Sequence, residues 1–173
     1  DDVTVTSDEE RFRKLYADDQ MTDEGTDFFR DAAGKRILWL TSCIRQLGVV
    51  DRRGSAAVHT GARTFPWSGS VTGQGFCCQG NLLAGEKVVA AMAEAFQATR
   101  GKSDHLVAPL LAALQAADAA GGDKRGKQAA GILVVRDRGH WTGSDNWCNI
   151  RVDDHADPIV ELARILKKAG FVK

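Results

Sequence analysis

The sequence lacks several features that commonly announce a function. Its four cysteines, Cys43, Cys77, Cys78 and Cys148, include no Cys-x-x-Cys pair. A structural zinc site draws on four converging ligands, usually spaced in pairs. Neither a metal nor a disulfide framework is therefore expected, and buried free thiols in a reducing compartment are. No apolar run approaches the length of a membrane span, and no basic stretch followed by an apolar one opens the chain. The expectation is a cytoplasmic protein without a membrane partner. No basic run is interleaved with aromatics, which argues against nucleic-acid binding. Gly73, Gly75 and Gly80 miss the G-x-G-x-x-G spacing and sit in no β–α–β unit, so no dinucleotide or other cofactor is expected.

Net charge is also absent: 23 Lys and Arg balance 23 Asp and Glu. The balance is uneven along the chain. Residues 1–33 hold eleven acidic against four basic side chains, about −7, which leaves about +7 for the remainder. Two readings follow: a solvated acidic face, or an acidic arm lying on a basic body in the same chain or a neighbour. With 173 residues, 43% hydrophobic and 27% charged, the chain has ordinary globular composition and enough length for a core.

The hydrophobic pattern divides the chain into an acidic segment, 1–44, and a body, 45–173. In the first, Ser7 caps a short helix with Phe12, Leu15 and Tyr16 as its apolar positions, Thr22–Ala33 reads as a second helix, and Arg36–Ile44 as a strand. In the body, "RQLGVVDRRGSAAVHTG" reads as a hairpin with strands 45–50 and 55–60 about the turn Asp51–Gly54. A glycine-rich stretch around a short strand, 75–79, follows. "GEKVVAAMAEAFQATRG" is an amphipathic helix ended by Gly101. A second helix starts near 107 with Leu106, Val107, Leu110, Leu111 and Leu114 at helical spacing. Strands 130–136 and 147–152 flank a turn. Asp157 caps a last helix, with Pro158 at its first position and Ile159, Val160, Leu162, Ile165 and Leu166 along it. Strands joined by short turns predict an α+β fold of antiparallel sheets layered with helices.

Three clusters hold candidate site residues. In "AAGGDKRGKQ", Gly121 and Gly122 let the chain turn sharply and Asp123 stands two residues from Arg125. An Asp–Arg pair there shapes a ligand site, with Arg125 offering a planar fork to a carboxylate; equally, it is a helix end with solvated charges. In "CQGN", Gln79 and Asn81 flank Gly80. Their amides either hold a substrate oxygen or, for Asn81, stabilise the local turn. In "VDDHADP", Asp153, Asp154 and His155 run directly into a helix start, where acids are favoured by the dipole, so a structural role is expected before a metal or acid–base one. His59, His105 and His140 have no such spacing. Trp67 is expected to be packed and half-buried.

The blocks "RQLGVVDRRGSAAVHTG", "QGNLLAGEKVVAAMAEAF", "AAGGDKRGKQAAGILVVR" and "IRVDDHADPIVELARIL" resemble, in order, a bacterial and archaeal family, the domain of unknown function numbered one thousand and twenty-eight. The resemblance runs from about Arg45 to Leu166, and Thr60 and Trp67 also match family positions. That family is similar to N-terminal nucleophile hydrolases, whose four-layer αββα fold places a Thr, Ser or Cys at the mature N-terminus with its own amine as base. The resemblance implies hydrolysis of a small amide, with Thr60, Gln79, Asn81, Asp123 and Arg125 as substrate-binding candidates. Residues 1–44 hold nothing like the T-F-S-I-V-A strand with which members begin, and Asp1 is not a nucleophile of this type. The isolated chain is therefore expected to be inactive. Either a partner chain supplies the first strands or the chain is a non-catalytic binding or assembly subunit, and a homo-oligomer is expected because missing strands leave sheet edges open.

Overall fold

The computed structural model describes residues 26–30, 36–40 and 45–173. The helix expected after Ser7 lies outside them. The chain divides into two compact units, Asp1–Asn81 and Leu82–Lys173. The described residues are α+β, with every strand pair antiparallel and every sheet two-stranded.

The described residues of the first unit form hairpins. Strand β1 (Thr26–Arg30) pairs with β2 (Arg36–Leu40). Over residues 26–30 this corrects the helix expected across 22–33, the rest of which lies outside the described residues. Thr26, Phe28 and Phe29 favour strands, and two adjacent Phe residues set no helical period, so ladder pairing decides. Strands β3 (Gln46–Val50) and β4 (Ala56–Thr60) form the expected hairpin, with Gln46 opposite Thr60. The carboxylate of Asp51 closes its turn by accepting from the backbone N–H groups of Arg53 and Ser55, both at 2.8 Å. A further strand, β5 (Gly69–Gly73), pairs with β6 (Phe76–Gly80), so the glycine-rich stretch is a second hairpin. Its glycines admit aromatic rings: the indole of Trp67 lies over Gly69 and the ring of Phe76 over Gly73, where a Cβ would collide with each. The two hairpins pack on one another, β3 near β6 and β4 near β5.

In the second unit, α1 (Glu86–Thr99) lies along α2 (Val107–Ala119). Strand β7 (Ala130–Val135) pairs with β8 (Asn146–Val152), and α3 (Pro158–Lys168) packs on that hairpin. The core joins Val107 and Leu111 of α2, Ile132 and Val134 of β7, Cys148 and Val152 of β8, and Leu162 and Leu166 of α3. Leu106 and Val160, expected on apolar faces, are exposed. Leu106 is the residue before the helix proper. On α3 the buried positions are Pro158, Leu162 and Leu166, four residues apart, and Val160 lies off that stripe.

Candidate functional site

Thr60, Gln79 and Asn81 belong to the first unit, and Asp123 and Arg125 to the second. In the first unit a residue not singled out by the sequence, Gln46, joins two of the candidates. Its Nε2 donates to Thr60 Oγ1 at 3.0 Å and to the Gly69 carbonyl at 3.3 Å, and its Oε1 accepts from Asn81 Nδ2 at 3.2 Å. Gln46 thereby uses both amide protons and one acceptor site. Thr60, accepting from Gln46, keeps its own proton to donate, and Asn81 keeps Oδ1 and one amide proton. Thr60 is half-buried and Asn81 exposed, so these groups stand at the accessible end of the chain of bonds. The turn-stabilising alternative for Asn81 is replaced by this link across the hairpins.

Gln79 faces β3 instead. Together with Cys77 it covers Gly48, where an added Cβ would come within 2.9 Å of Gln79 Oε1 and 2.6 Å of Cys77 Sγ. Gly48 is thus required by close approach. The Gln79 Oε1 atom is buried without a hydrogen-bond partner among the described residues, an unmet acceptor that costs about 1–3 kcal/mol.

In the second unit, Asp123 and Arg125 form a two-pronged pair. Arg125 donates from Nε to Oδ1 at 3.0 Å and from Nη2 to Oδ2 at 2.6 Å, while its backbone N–H donates to Oδ1 at 2.8 Å. The guanidinium beside it holds the Asp123 carboxyl below its ordinary value, and the carboxylate raises Arg125 in turn. The local geometry follows from Gly121 and Gly122, both at positive φ, and from a bridge that pairs Leu83 with Asp123. A Cβ on Gly121 would lie 2.8 Å from that of Ala84. The fork of Arg125 is taken up by Asp123, and its side chain is 70% exposed.

The model for a family of unknown function, DUF1028, matches residues 40–162. This chain belongs to that family. A solved DUF1028 structure, protein SPO2555 from Silicibacter pomeroyi, is 36% identical with a TM-score of 0.61, over 73% of this chain and 51% of that one. The chain thus spans about half the length of that relative. No functionally curated protein matches it.

Within the DUF1028 match, two of the sequence blocks meet. Lys127, from "GGDKRGKQ", donates to Asp118 Oδ2 of α2 and contacts Asp157 Oδ1 before α3, both at 2.8 Å. Gln128 donates to Asp154 Oδ1 at 3.2 Å, and its carbonyl accepts from the His155 N–H. Asp153 pairs with Arg151 at 2.7 Å. His155 Nδ1 accepts from the Asp157 N–H at 2.9 Å. The side chains of Asp153, Asp154 and His155 therefore serve three different structural partners, Arg151, Gln128 and the Asp157 N–H. Asp157 occupies the expected capping position, but its carboxylate makes no cap and turns to Lys127. Gln46 was findable from the hairpin register, which sets it opposite Thr60; the Lys127 bridge had no local signal.

Proposed function

We propose that this DUF1028 chain is similar to N-terminal nucleophile hydrolases and holds a small amide, as part of a site that hydrolyses its C–N bond. The observation that carries this reading is the Thr60–Gln46–Asn81 chain of hydrogen bonds. A small amide presents one strong acceptor, its carbonyl, and an N–H donor. The Thr60 hydroxyl and the second Asn81 amide proton suit the acceptor, and Asn81 Oδ1 suits the donor. Antiparallel hairpins with helices packed on a sheet are compatible with such a hydrolase body. In enzymes of this type the attacking group is a hydroxyl or thiol beside a free amine. Burial pushes the thiols of Cys77, Cys78 and Cys148 up, keeping them protonated and poor nucleophiles.

The test is a titration of the protein with small amides and lactams, followed through the side-chain amide resonances of Gln46, Gln79 and Asn81, with amine release assayed in parallel. Gln46→Ala is expected to weaken binding about tenfold, since one to two hydrogen bonds of about 1 kcal/mol each lose their support. Absence of any shift across the panel overturns the reading.

A second reading, an assembly subunit that pairs with another chain, is favoured by one observation. Leu133 and Val135, on the outer face of β7, are 60% and 66% exposed. Self-association in sedimentation experiments is its expected consequence.

A further inference from the structure

We infer that His155 is a proton-operated latch on the start of α3. Its ring Nδ1 accepts from the Asp157 N–H at 2.9 Å. A backbone N–H only donates, so Nδ1 carries no proton, and the neutral ring bears its proton on Nε2. The bond therefore exists in one protonation state and one tautomer. An imidazolium has a proton on both nitrogens, which would set Nδ1 against the Asp157 N–H donor to donor, so the bond breaks. Imidazole is the side chain that ordinarily changes charge between about pH 5 and 8. His155 is exposed, so a proton reaches it from solvent without disturbing the core.

What the latch holds follows from the chain around it. Asp157 leads directly into Pro158, the first residue of α3, and its carboxylate makes no cap. The ring of His155 fixes that entry through the Asp157 N–H. The His155 N–H donates in turn to the Gln128 carbonyl at 3.0 Å. One residue thus ties the segment before β7 to the start of α3. The charges facing the ring decide what acid does. Asp157, held down first by its bond to Lys127, and Glu161, held down first by its bond to Arg164, are each lowered further by a charge on His155. Lys127 also binds Asp118 of α2 at 2.8 Å. On the strand side Arg151 holds Asp153 at 2.7 Å, and Gln128 holds Asp154 at 3.2 Å. A protonated ring is therefore drawn to the carboxylates of α3 as it gives up its acceptor role. In acid it exchanges a backbone partner for a carboxylate, and the Asp157 N–H is left to water.

Nuclear magnetic resonance on the nitrogen-labelled full chain tests this. At about pH 8 the ring is expected in its Nε2–H tautomer, with a scalar coupling across the hydrogen bond between the Asp157 amide nitrogen and His155 Nδ1; by about pH 5 that coupling should vanish. Protection of the Asp157 amide from exchange, taken relative to the free-peptide rate at each pH, should fall about fivefold over the same interval, the effect of losing one net hydrogen bond. His155→Asn keeps an acceptor oxygen that takes up no proton in this range, so its protection should stay level. His155→Ala should show the low, acid-like protection at every pH. An Nδ1–H tautomer in the wild-type chain overturns the latch, and so does a wild-type protection that stays level. The same acid fall in His155→Asn, or a His155→Ala chain as protected as the wild type at about pH 8, overturns it as well.

Discussion

Asp123 carries more of its turn than Arg125 does. The carboxylate accepts three hydrogen bonds, one of them from a backbone N–H that no other group serves. Arg125 contributes a side chain 70% exposed against 28% for Asp123, and exposed ion pairs contribute little because water and salt compete with them. Arg125→Ala is therefore expected to shift the melting temperature only slightly, and no more than Lys124→Ala within error. Asp123→Ala should lower it clearly, and Asp123→Asn, which keeps an oxygen for the N–H, should recover most of the loss. Thermal melts of the four variants decide this; an Arg125→Ala loss equal to that of Asp123→Ala would show that the ion pair, rather than the turn, is what matters.

At the level of elements, Lys127 ties the end of α2 to the start of α3. Its hydrogen bond to Asp118, with a second to Asp157, raises its pKa, and Asp157 is lowered chiefly by its bond to Lys127. A depressed carboxylate contributes stability above its unfolded value and loses it as pH falls through the folded one. A raised lysine contributes below its unfolded value and loses it as pH rises through the folded one. The bridge is therefore at full strength from the upper edge of the carboxylate range to the lower edge of the lysine range. Lys127→Met should melt below the wild type at neutral pH, and the two curves should converge as pH drops below about 4. A gap that persists into acid would mean that the ammonium group stabilises the protein by something other than its pairing with ionised carboxylates.

The second unit, as a whole, rests on a core where two sheet strands and two helices meet. Leu162 and Leu166 of α3 are completely buried there. Leu162→Ala should cost about 2–5 kcal/mol, the transfer of the lost methyl groups plus the cavity left behind. Denaturant unfolding measures the loss, and hydrogen exchange at the amides of Ile132 and Leu166 should quicken accordingly. A cost below about 1 kcal/mol would mean that the core collapses around the gap. None of the helices among the described residues is long and apolar enough to cross a membrane.

By itself the sequence determined what is local. The β3–β4 hairpin, all three described helices and the β7–β8 hairpin follow from turn residues and apolar periods a few positions long. Asp123 and Arg125 meet because they lie two residues apart on a glycine-tightened turn. Tertiary structure decided the rest. Thr26–Arg30 became a strand because it found a pairing strand, which its own period could not reveal. Gln46 reaches Asn81 across 35 residues, and Lys127 gathers carboxylates from two helices' ends. Such contacts depend on how hairpins and helices pack after the chain has closed its loops. No residue's neighbours in sequence encode that, because polar side chains at these positions would satisfy themselves with water equally well until packing removes it.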